Sequence, residues 1–424
     1  MEDAAPTLID RLLGGRLWRD VDFALLWAGQ TVSEVGSQVT LLALPATAIL
    51  LLHARPFQVG LLGALQFLAF PTLGLPAGVY VDRVKRRWIM ITCDAGRMLA
   101  LASVPAAYAL GWLSMPVLYG VALVTGVFTV FFEIAYQSYL PALIPRADLI
   151  EGNSKLEVSR SVAQVAGPAI AGLLLQLVAA ARAILVDAAS FGVSVVSLVA
   201  IRRPEPAPAP RTASGRCGFW VEMWEGIRVV LGNPTLWKIA GCTGTTNLGT
   251  NIVFAVYLIF AFRHLHLSPS IIGFIFASGA VGGLLGAVSA GPLARRFGLG
   301  PTLMLGISGD LALLLVPLAQ FGLAAPLLFA SFLVMSFGGT VYNINQVSLR
   351  QTITPDRVQG RMNATMRTIV WGTIPIGSFL GGAMGDQIGV VPTLIVGAAV
   401  AGTAGVWILA GPIRLREHPV VAIS

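Results

Sequence analysis

A carboxylate at Glu34 stands in the stretch GQTVSEVGSQVT (residues 29–40), inside a run from Val21 to Leu52 that is otherwise mostly apolar. A charge at mid-membrane costs roughly 2.5–3.5 kcal/mol on insertion scales, so a group in that position needs a use. On a helix Gln30, Glu34 and either Ser37 or Gln38 fall on one face, at i, i+4 and i+7 or i+8. A second stretch, GCTGTTNLGTN (241–251), repeats the polar character with Thr243, Thr246, Asn247 and Thr250 on one face and Asn251 beside it. Faces of this kind belong on water or on a polar solute. A carboxylic acid in such a place can carry a proton from one side of a membrane to the other, or bind a cation directly; it can also serve only as a buried partner for a basic side chain. Asp310, in a third apolar stretch without an evident partner, is a further candidate for the same proton chemistry.

Other charges gather at one loop. Gly78, Asp82, Arg83, Arg86 and Arg87 lie within ten residues, with Glu133 in a later apolar run and Asp94 and Arg97 three apart, close enough to pair on a helix. Arg160 has Glu157 and Glu133 as possible partners, and Asp187 has Arg182. A third group, Gly167, Pro168 and Gly172, combines a helix-kinking proline with residues small enough for close helix approach.

These residues must be positioned by membrane helices. Of the 424 residues, 56% are hydrophobic and 11% charged, with a mean hydropathy of +0.79, whereas soluble domains carry about 25% charged residues. Twelve stretches near 20 or more residues can span a bilayer, near 21–52, 57–81, 88–111, 116–140, 156–179, 183–201, 235–262, 269–293, 299–321, 324–349, 362–387 and 390–412. They group as a segment 1–20, a six-helix half 21–201, a central loop 202–233 whose Pro/Ala run favours extended backbone, a second half 234–412 and a tail 413–424. With the N-terminus in the cytoplasm, 21 basic residues fall on the cytoplasmic side and three (Arg55, Arg182 and Arg263) on the other, which fits the positive-inside rule. The net charge of +8 is therefore topology, not a nucleic-acid footprint. Both termini are expected in the cytoplasm, and the arginine-rich usage points to a bacterium. The N-terminus lacks the pattern of a cleaved secretory signal.

The halves match each other. At an offset of 213, Gly78–Arg87 falls on Gly291–Gly300, and Glu34, Gly36 and Gln38 fall on Asn247, Gly249 and Asn251; at an offset of 210, Gly167 falls on Gly377 and Gly172 on Gly382. Parallel six-helix repeats are one of the transporter plans, with the substrate near the midplane. No P-loop, HExxH or other metal-ligand pattern is present, and His264 and His266 have no third ligand in sequence, so no enzyme, cofactor or metal site is expected.

The sequence resembles the major facilitator superfamily, and within it the bacterial efflux branch that includes macrolide exporters and the enterobactin exporter. Its first-loop signature appears as Gly78-Val-Tyr-Val-Asp82-Arg83-Val-Lys85-Arg86-Arg87, with Lys85 in place of a glycine, and its antiporter signature as Ala163-Gln-Val-Ala-Gly167-Pro168-Ala-Ile-Ala171-Gly172. The stretch 131–164 is also similar to that branch. The resemblance implies an all-α integral membrane fold of twelve helices in two pseudo-symmetric halves, working by alternating access. It implies a gate on the cytoplasmic side in which Asp82 faces the N-terminal end of another helix and the arginines meet acids such as Glu133, and a Gly167–Gly172 region packed against span eight. The function so implied is proton-coupled export of an amphipathic small molecule, by a monomer in the cytoplasmic membrane, in contact with lipid and not with nucleic acid. The alternatives are carriage of a lipid-like or other endogenous metabolite, and a sensor on the same fold that moves nothing.

Overall fold

The computed structural model describes residues 16–81, 83–145, 148–205 and 216–410. Among these the secondary structure is helical throughout, without strands. Spans one to six are Val21–Leu50, Pro56–Val81, Arg86–Ala109, Met115–Leu143, Leu149–Leu177 and Ala180–Ala200. Span seven is Pro234–Ile259, prolonged by a π-helical turn Phe260–His264; span eight is Pro269–Phe297. Span nine is composite, with α-helix Leu299–Ser308, a 3₁₀ segment Gly309–Leu314, a short α-turn Leu315–Leu318 and a second 3₁₀ turn Ala319–Phe321. Span ten is Ala324–Ile353, span eleven Asp356–Gln387, and span twelve Val390–Gly402 continuing as Gly405–Leu409. Among the described residues, eleven helices are long and apolar enough to cross a membrane. Span eleven has the length, at 32 residues, but its glycines and polar ends dilute its apolar character.

The central loop is not extended throughout. Arg216–Gly232 forms a helix that lies on the start of span eleven, where Glu225 pairs with Arg361 at 2.5 Å and Gly226 sits so close that a Cβ would come within 2.8 Å of the Arg361 carbonyl oxygen. The proline signal ahead of it hides this helix from a compositional reading.

Two compact units result. One holds the described residues through Leu52 and those from Thr72 up to the Pro/Ala run; the other holds His53–Pro71 and the chain after that run. Span two is thus shared: its first half packs with the later helices. There Gly60 lies against span eleven, with the Ser378 carbonyl oxygen and Gly382 Cα within 2.6 Å of a notional Cβ, and Phe57 stands edge-on to Phe379 at 5.5 Å between centroids. Asp386 accepts from the Phe57 amide at 3.3 Å and so caps span two.

The repeat is visible in the packing. In the first unit Gly36 of span one abuts Ser190 of span six, and a Cβ on Gly167 of span five would come within 2.5 Å of Gln38 of span one. In the second, a Cβ on the equivalent Gly249 of span seven would come within 2.3 Å of the Ala401 nitrogen of span twelve, and one on the equivalent Gly377 of span eleven within 3.0 Å of Asn251. Small residues let backbones approach where lipid supplies no hydrophobic drive.

Candidate functional site

Span one brings its polar face to three neighbours. Glu34, half-buried, is acted on electrostatically by Arg160, Glu133, Arg97 and Glu157, in that order. Tyr136, one turn from Glu133 on span four, feels Glu34, Arg160 and Glu157. The first unit therefore brings Glu133 and Tyr136 of span four and Glu157 and Arg160 of span five into the electrostatic neighbourhood of Glu34, with Glu157 and Arg160 exposed on one face of span five.

Behind this cluster lies a closed polar chain. The Gln30 amide donates to Ser194 Oγ on span six at 3.4 Å, and Ser194 donates to Asp94 Oδ2 on span three at 2.6 Å. Asp94 is fully buried and pairs with Arg97, whose guanidinium sits 4.2 Å from the ring centroids of both Phe132 and Phe191. The sequence spacing of Asp94 and Arg97 foretold the pair; it did not foretell Ser194 or the two rings. Asp187 is also buried, and its carboxylate accepts from Ser190 at 3.1 Å rather than meeting Arg182, which lies over Tyr108.

The loop arginines find a partner that sequence reasoning missed. Glu205, after span six, accepts from the Arg86 and Arg87 amides at 2.8 and 3.1 Å and pairs with the Arg86 side chain at 3.6 Å. The Arg87 guanidinium donates to the Leu198 and Val199 carbonyls. Glu205 is thus the carboxylate at the start of span three, and Glu133, named from sequence as a partner for the loop arginines, is among the groups that act on Glu34. A second clasp ties the start of span one to the same exit of span six: Asp22 accepts from the Arg202 and Arg203 amides, and Arg203 reaches Asp20 at 2.9 Å. Arg83 is exposed, and a Cβ at Gly78 would meet nothing within 4 Å. Asp82 lies outside the described residues.

The antiporter-motif residues Gly167, Pro168 and Gly172 are buried, and Gly167 seats against span one. Within the second unit, Gly282 and Gly286 of span eight lie against the Leu333 and Phe337 carbonyls of span ten.

In the second unit the Asn247 amide donates to the Val370 carbonyl at 3.1 Å, and Asn251 donates to the Asn247 carbonyl at 2.8 Å. Both amides are committed to backbone. Thr243 and Tyr342 share a hydrogen bond of 2.9 Å. Asp310 is 3% exposed, in the 3₁₀ part of span nine. Among the described residues no cluster of His, Cys, Asp or Glu could hold a metal ion.

Comparison with known proteins agrees with this geometry. The model of the family described as transmembrane secretion effector matches residues 17–420. The multidrug efflux pump Tap of Mycolicibacterium fortuitum is 25% identical over 414 residues, covering 93% of this chain and 95% of that protein. The enterobactin exporter EntS of Escherichia coli is 24% identical over 413 residues, covering 93% and 92%. In fold, a point mutant of the nucleoside transporter NupG superposes with a TM-score of 0.74 at 12% identity, covering 92% of this chain and 99% of that one. A bacterial homologue of the iron transporter ferroportin, inward-facing, gives 0.73 at 19% identity, covering 93% and 99%.

Proposed function

Since the chain belongs to the transmembrane secretion effector family of major facilitator transporters, we propose that it exports an amphipathic small molecule against entry of protons, with Glu34 as the coupling residue. The observation that carries this reading is the setting of Glu34, a half-buried carboxylate on the polar face of span one. Arg160 acts on it most strongly among the charged groups, and Arg97, the other cation acting on it, is already engaged by Asp94. A carboxylate so placed can be balanced by a proton or by a positively charged group on a substrate, and competition between the two is what antiport requires. A proton entering down 100 mV supplies about 2.3 kcal/mol, and each unit of pH difference adds about 1.4 kcal/mol.

Gln30 and Gln38 flank Glu34 on span one, and the Asp94–Arg97–Ser194 chain fixes the helices behind it. The excess of arginine on one set of loops supports a cytoplasmic position for both termini, and the Glu205 clasp then lies on the cytoplasmic side. The similarity to an efflux pump and a siderophore exporter supports the outward direction.

The experiment is accumulation of a cationic dye and of a macrolide in an efflux-deficient bacterium carrying the wild type or Glu34→Gln at matched abundance, with and without an uncoupler. The wild type lowers accumulation, and either the uncoupler or the substitution abolishes the effect. Export by Glu34→Gln at the wild-type rate and with the same uncoupler sensitivity would remove Glu34 from the coupling step.

A further inference from the structure

The second unit holds a buried carboxylate that the Glu34 cluster leaves unused. Among the described residues Asp310 Oδ2, Thr246 Oγ1 and Thr250 Oγ1 make no hydrogen bond of ordinary geometry. Thr246, on span seven, is the side chain placed to hydrogen-bond Asp310, and Cys242, one turn earlier, feels the carboxylate in turn. Thr243 and Tyr342 complete the titratable and polar surroundings from spans seven and ten, and Tyr342 is occupied by Thr243. Span twelve, which also packs here, brings no ionisable side chain. No basic residue is among the groups that act on Asp310.

The internal repeat makes this arrangement legible. At the offset of 213 found in the sequence, Arg97 falls on Asp310 and Asp94 on Ile307. Gly96 and Gly309 keep the same role next door: a Cβ at the first would strike Phe128 of span four, and at the second Gly338 of span ten, 210 residues on. The first unit thus neutralises the position internally, acid against guanidinium. In the second unit the cation has become the acid, and its former partner is a hydrocarbon. A lone carboxylate at this depth is costly without a counter-charge.

Span nine changes from α to 3₁₀ geometry from Gly309 to Leu314, where the Leu315 amide donates to the Ala312 and Leu313 carbonyls. One of them, Ala312, is taken up by Ser331 of span ten at 2.8 Å. Thr243 satisfies itself on the Ile239 carbonyl one turn back, whereas Thr246 and Thr250, on the same face, do not. The donor set is hard oxygen only, with a single negative charge, which suits an alkali cation rather than a transition metal or a divalent ion.

We propose that Asp310 and Thr246 form the protein side of a sodium site in the second unit. This site is independent of the export reading, and its test needs no transported substrate. The full-length protein, purified in detergent, is heated in equal concentrations of sodium, potassium or choline chloride at several pH values. Sodium raises the unfolding midpoint in a saturable manner, potassium less, and choline not at all. Asp310→Asn and, as the milder variant, Thr246→Val lose the sodium-specific rise, while Glu34→Gln keeps it. If the midpoint ignores sodium but moves with pH in the wild type and not in Asp310→Asn, the carboxyl is a proton site and the sodium assignment falls. A sodium-specific rise that survives in both span-seven and span-nine variants also overturns it.

Discussion

Asp94 and Arg97 illustrate what single residues can do in this chain. Each is buried and each is the other's counter-charge, so removing one leaves the other stranded. Breaking such a pair costs about 3–5 kcal/mol. Asp94→Asn and Arg97→Leu should each lower the thermal unfolding midpoint of the purified protein sharply. The double variant should lie nearer the wild type than either single change, because no unpaired charge remains; an additive double loss would contradict the pairing. Residues of this kind were legible in the sequence because their spacing is local. Glu205 was not, since it binds through backbone amides more than a hundred residues away, and amides carry no residue-type signal. Asp187 misled for the converse reason: Arg182 is close in sequence, but the helix turns the carboxylate inward to Ser190.

Among the elements, the helix seams decide stability, and the glycines divide into those that fill a seam and those that do not. A Cβ at Gly249 would come within 2.3 Å of the Ala401 nitrogen and 2.6 Å of the Gly397 oxygen, backbone atoms that cannot step aside. Gly249→Ala should therefore cost about 1–3 kcal/mol through overpacking. Gly78→Ala, with nothing in the way, should be neutral or gain up to about 1 kcal/mol from helix propensity. Thermal unfolding of the two variants side by side tests the contrast, and equal behaviour would remove the seam argument. The sequence announced small residues on spans five and eight, but not that Gly167 seats on Gln38 of span one or that Gly282 and Gly286 of span eight seat on span ten. The number and order of spans came from hydropathy alone. The 3₁₀ stretch of span nine and the helix Arg216–Gly232 did not, since apolar length is blind to the first and proline content obscured the second.

For the whole molecule, the sharing of span two matters most. The first half of the chain contributes His53–Pro71 to the unit built from the second half, through Gly60 on Ser378 and Gly382. Two fragments produced together, split at the Pro/Ala run, should therefore copurify, and Gly382→Leu should abolish the copurification by closing the groove that Gly60 enters. Fragments that fail to associate in the unsubstituted form would count against a shared span two. The twofold repeat was readable from ordered single-residue matches. Its functional asymmetry was readable too, in Glu34 against Asn247, though only the packing shows that Asn247 is spent on the Val370 carbonyl.

The polar chain from Gln30 through Ser194 to Asp94 also sets a timetable for biosynthesis. Gln30 and Ser194 are separated by 164 residues, so at about 5–20 residues per second a ribosome needs roughly 8–33 s between making the two. Span three is made within that interval, and for the last 100 residues of it, about 5–20 s at that rate, Asp94 rests on Arg97 without the hydroxyl of Ser194. A nascent chain arrested before span six would present an unfinished polar patch inside the bilayer. That interval is when the protein is most dependent on the insertion machinery, and when quality control has its clearest signal that the first unit is incomplete.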